Sequence, residues 1–70
     1  MSYDSEANAA YLAIEEDVSS GSATENVVVE RAGRGDIVLD FSSNGRLLGV
    51  EVIGARELLS TAVLSTADEP

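Results

Sequence analysis

Two carboxylates, Asp40 and Glu51, are the residues of this sequence best placed to do chemistry. A hairpin turning at Asn44-Gly45 pairs the strands that carry them. In the register that a two-residue loop imposes, Asp40 faces Gly49, Val38 faces Glu51, and the two acids lie diagonally on one face. With Asp4 or Glu6 added, such a cluster offers the hard oxygen ligands that Mg²⁺ or Ca²⁺ takes. Two carboxyl groups in unlike surroundings can also have their pKa values pushed apart, which acid–base chemistry needs. The competing expectation is a solvated polar face, with Glu51 pairing Arg31 or Arg56 and Asp40 capping backbone near the turn.

Most other catalytic chemistry is excluded by residue type. The chain has no histidine and no cysteine, and its four basic residues are Arg31, Arg34, Arg46 and Arg56, so lysine is absent too. A serine–histidine pair, a thiolate nucleophile and a Schiff base are therefore ruled out. Gly33-Arg34-Gly35 has neither the length nor the lysine of a phosphate-binding loop. No cofactor is expected, and the chain reads as a non-enzyme. The net charge of −9 opposes direct contact with nucleic acid or an anionic membrane. It suits a basic protein partner, or simply keeps a small protein soluble. The opening residues Met1–Glu6 lack the basic and apolar regions of a signal peptide, and a cytoplasmic location is the expectation.

The elements that must position these acids follow from period-two alternation. Tyr3-Asp4 starts a short edge strand, and Asp4 or Ser5 caps a single helical turn over residues 6–9. Residues 10–15 read as a strand with Leu12 and Ile14 on one face and Tyr11 and Ala13 on the other. Residues 16–23 form a loop. Strands follow over 24–31, 36–41 and 47–53. The two-residue Asn44-Gly45 loop sets Phe41 against Leu48, Leu39 against Val50 and Ile37 against Val52; a three-residue loop would slide this pairing by one. Residues 55–64 carry a helical stripe of Leu58, Leu59, Ala62 and Val63 that can cover the apolar face. The fold expected is α+β: an antiparallel four-stranded β-meander with a short N-terminal helical turn and a C-terminal helix packed on one face. Residues 1–64 make a single domain, and residues 65–70 a disordered tail.

Two stretches carry a family resemblance. Tyr3-Asp4-Ser5-Glu6-Ala7-Asn8-Ala9-Ala10-Tyr11-Leu12 resembles a "Tyr-Asp-x-Glu-Ala-Asp-Ala-Leu-Tyr-Ile" opening. Asp40 to Ile53 resembles an aspartate, a turn, then a strand of hydrophobic-Gly-hydrophobic-Glu-hydrophobic-hydrophobic pattern. Both occur in the small prokaryotic, bacterial proteins grouped as domain of unknown function 2283, over roughly residues 3–59 here. Asn8, Ser42 and Asn44 stand where that family often has aspartate, which weakens a cation site. The resemblance implies one sheet plus a helix. Because some members are encoded beside small toxin-like proteins, it also implies an antitoxin-type role.

A 70-residue chain with no disulfide has a marginal core and gains stability by associating. The expected function is thus a protein-interaction module, homodimeric, neutralising a basic partner. The alternative is a small divalent-metal-binding protein using Asp40, Glu51, Asp4 and Glu6. Val38, Leu47 and Ile53 on the outer sheet face, with Tyr3 at an edge, are the candidate contact residues. Strand addition at a sheet edge is a second route to association.

Overall fold

A computed structural model describes residues 1–15 and 23–68. Five antiparallel strands form one sheet: β1 Ser2–Asp4, β2 Ala9–Ala13, β3 Ala23–Arg31, β4 Gly35–Ser42 and β5 Leu47–Ile53. They lie in the order β1-β2-β5-β4-β3. The expected four-stranded meander is therefore corrected. Only β3, β4 and β5 meander, and the β1–β2 hairpin docks on the far side of β5. Apolar matching explains the docking, since Ala10 meets Val52 and Leu12 meets Val50. The expected loop 16–23 lies outside the described residues except for Ala23, which opens β3.

The expected N-terminal helical turn is a reverse turn over residues 5–8. Asp4 does cap it: its Oδ1 accepts from the amides of Glu6 at 3.1 Å and Ala7 at 3.3 Å. Asn8 then takes φ 53°, which ends any helical continuation and turns the chain into β2.

The Asn44-Gly45 hairpin keeps the expected register away from the turn, with Leu39 opposite Val50 and Ile37 opposite Val52. At the turn it differs. Gly45 N donates to Ser42 O at 3.0 Å and Ser42 N to Arg46 O at 2.9 Å, so three residues, Ser43 to Gly45, form the loop. Gly45 alone takes positive φ, at 84°, whereas the two-residue turn requires it at Asn44 as well. The one-residue slip is absorbed by a bulge, which sets Phe41 against Leu47 instead of Leu48. Hydrophobic matching over five residues outweighs local turn preference, and the bulge reconciles the two.

The expected continuous helix over 55–64 is two short helices, α1 Ala55–Leu58 and α2 Thr61–Ser65. Leu59 is extended, and Ser60 caps α2 by accepting from Val63 N at 3.2 Å. The intended stripe is broken: Ala62 and Val63 face solvent. The helices lead back to β1, and Leu12, Val27 and Val29 of the apolar face stay exposed. There Tyr3 N donates to Asp68 O at 2.7 Å, and Asp68 N to Met1 O at 2.9 Å. The tail expected to fray is thus tied to β1 as far as Asp68.

Candidate interaction surface

The pairing sorts side chains into two faces. On the first, one cross-strand row runs Val29, Ile37, Val52, Ala10, Tyr3, and the next runs Val27, Leu39, Val50, Leu12. Eight of these nine are aliphatic. On the second face the rows are Val28, Val38, Glu51, Tyr11, Ser2 and Asn26, Asp40, Gly49, Ala13. Alternation predicts that the first face is the core. It is covered only in part: Ala10 is buried and Ile37, Leu39, Val50 and Val52 are half-buried, while Leu12 is 43% exposed, Val29 42% and Val27 37%. Among the described residues the only buried apolar side chains are Ala10, Leu48 and Ala55, and no large side chain is fully buried.

The acids are placed as expected but not gathered. Asp40 and Glu51 lie diagonally on the second face. Asp40 accepts a hydrogen bond from the Asn26 side-chain amide. Asp4 is spent on the turn at the end of β1, and Glu6 is exposed within that turn. Among the described residues no three acidic, histidine or cysteine side chains converge as metal ligands. The expected partners of Glu51 are engaged elsewhere in one case: Arg56 Nη1 donates to Tyr3 Oη at 3.1 Å and to Ser5 O at 2.9 Å.

The four candidate contact residues do not form one patch. Val38 and Ile53 lie on the second face, Ile53 being 42% exposed. Leu47 sits half-buried at the bulge, and Tyr3 belongs to the first face, its phenol held by Arg56. Gly49 marks a close approach, as its mid-strand position suggests: a Cβ there would strike the Tyr11 ring, which lies across it.

Asn8 went unmarked as a functional residue, yet it joins the sheet to α1. Gly54, at φ 89°, supplies no side-chain cap. Asn8 O accepts from the amides of Gly54 and Ala55, each at 3.0 Å, and Asn8 Oδ1 from Arg56 N at 2.9 Å. Its Nδ2 donates to Glu57 Oε1 at 2.6 Å. The other missed residues are Leu12, Val27 and Val29. For Val27 and Val29 the signal was the unbroken Val27-Val28-Val29 run, which is apolar toward both faces of its strand.

Fold and surface together define a small α+β protein whose single sheet leaves part of an aliphatic face exposed. Residues 1–56 match the model of a family described as protein of unknown function (DUF2283), and the chain belongs to that family. No curated protein and no solved structure matches it.

Proposed function

We propose that this chain is a non-enzymatic protein-interaction module whose partly exposed aliphatic face receives a basic partner protein. The observation that carries the reading is the absence, among the described residues, of any fully buried large side chain. Ordering each residue costs about 1–2 kcal/mol of backbone entropy, which burial must offset. Among the described residues, Leu12, Val27 and Val29 of the aliphatic face are left exposed. The chain's surface is also large: 4773 Å² is exposed, where about 4,200 Å² is usual for a monomer of this mass. The net charge of −9 selects a basic partner and speeds the encounter. Neutralising a toxin-like protein is one form such a role takes.

The test uses the whole chain, a Leu12→Asp variant and the product of any adjoining basic reading frame. Nile red, a neutral dye that brightens on apolar surface, should brighten with the wild-type chain and less with the variant. The basic protein should displace the dye, less effectively at high salt. A chain that leaves the dye dark, or a partner that binds Leu12→Asp as well as wild type, overturns the reading.

A further inference from the structure

The two edges of the sheet are guarded differently. β1 is three residues long, and Asp68 bridges to it at Ser2. β3 is nine residues long, pairs on one side only among the described residues, and carries no proline and no lysine. Long edges of this kind are templates for another strand, and proteins that stay single usually block them. β3 ends in a regular stretch: pairing to β4 shifts between Ala23 and Glu25, then runs uninterrupted from Glu25 to Arg31. Val28 is its middle residue and, at 52%, the most exposed large aliphatic among the described residues.

We infer that β3 pairs antiparallel with β3 of a second copy, about a twofold axis through Val28. The sequence of the regular stretch, Glu25-Asn26-Val27-Val28-Val29-Glu30-Arg31, is self-complementary in this register. Glu25 of each copy meets Arg31 of the other, Val27 meets Val29, Val28 meets Val28, and Asn26 meets Glu30. Every charge faces an opposite or neutral group, and every aliphatic faces an aliphatic. Opposite charges and aliphatic pairs directly across a ladder are the favourable combinations. Neighbouring registers fail. Sliding by one residue in one direction opposes Glu25 to Glu30; sliding by one in the other opposes Val27 to Glu30. Sliding by two in that direction sets Glu25 against Val29; sliding by two in the other sets Arg31 against Val27.

This contact uses an edge, so it stands independently of what covers the aliphatic face. An axis through a residue also keeps like faces together. The dimer therefore has one ten-stranded sheet with both aliphatic faces on the same side, doubling the surface offered to a partner.

The test is a charge swap read by sedimentation equilibrium. Glu25→Arg and Arg31→Glu each place two like-charge pairs across the axis, and both positions are exposed, so folding is not at stake. Each should weaken the dimer by about tenfold, and the double swap should restore it to within about twofold. A second variant, Val28→Cys, puts one thiol per chain on the axis in a protein with no cysteine. It should form a disulfide dimer under mild oxidant, whereas Leu12→Cys should not. A chain that stays monomeric, a dimer indifferent to the single swaps, or a double swap that fails to rescue overturns the pairing. Leu12→Asp should leave the dimer intact while losing the partner, which separates failure of this pairing from failure of the face.

Discussion

Asn8 shows how one side chain can replace a missing helix cap from across the fold. Gly54 has the left-handed geometry that starts α1 but no side chain to satisfy the first amides. Asn8 brings a carbonyl and an amide oxygen to them from the β1–β2 turn, and tolerates φ 53° while doing so. Two costs can be separated by mutation. Asn8→Gly keeps the backbone geometry and loses the cap, and should lower stability by about 1 kcal/mol. Asn8→Ala loses the cap and strains the turn, and should cost about 2 kcal/mol. Urea unfolding of the two variants checks the order; equal effects would remove the backbone from the account. Little of this was legible in the sequence, because the partners are about fifty residues apart. By contrast Asp4 was legible as a cap, since it serves amides two and three residues on.

The elements show which sequence signals are local and which are not. The β4–β5 pairing was readable because shifting it by one residue would bury Glu51 against Ile37. The bulge was not readable, because apolar matching fixes pairing without saying how the turn is closed. The docking of β2 on β5 was also hidden, being a contact between distant segments. The break between α1 and α2 did have a sign: Ser60 is a strong cap residue inside an apolar helical stripe. Ser60→Ala should destabilise α2 by about 1 kcal/mol. Helices this short depend on their caps and contacts, so amide exchange should accelerate over residues 61–68 and not in β4. Uniform acceleration through the sheet would show that the C-terminal arm is not an independent unit.

At the scale of the molecule, the decisive quantity is how much sheet the helices can cover. Even as one piece, a ten-residue helix would be about 15 Å long and 10 Å wide. A sheet of five strands is about 24 Å across. The apolar pattern announces the face, and the difference in size means that part of it, at Leu12, Val27 and Val29, stays uncovered. The molecule measures 34 × 26 × 18 Å with a radius of gyration of 12.4 Å, broader than the roughly 11 Å usual for a chain of this length. Pairing through β3, as inferred above, would add stability by association, so the melting temperature should rise with protein concentration. Circular dichroism melts across a hundredfold dilution series, a range chosen so that mass action gives a readable shift, check this. A concentration-independent melt would mean that the single sheet is stable alone.

The bridge between Ser2 and Asp68 places both chain ends beside β1, across the sheet from β3. In a dimer joined at β3 the two pairs of ends lie at opposite extremities, about 40 Å apart across ten strands. A genetic tandem of two copies therefore needs a connector of at least about 12 residues, even fully stretched, before its halves can meet. Shorter connectors force each copy to find its mate in another molecule, and the product becomes an open string of linked pairs.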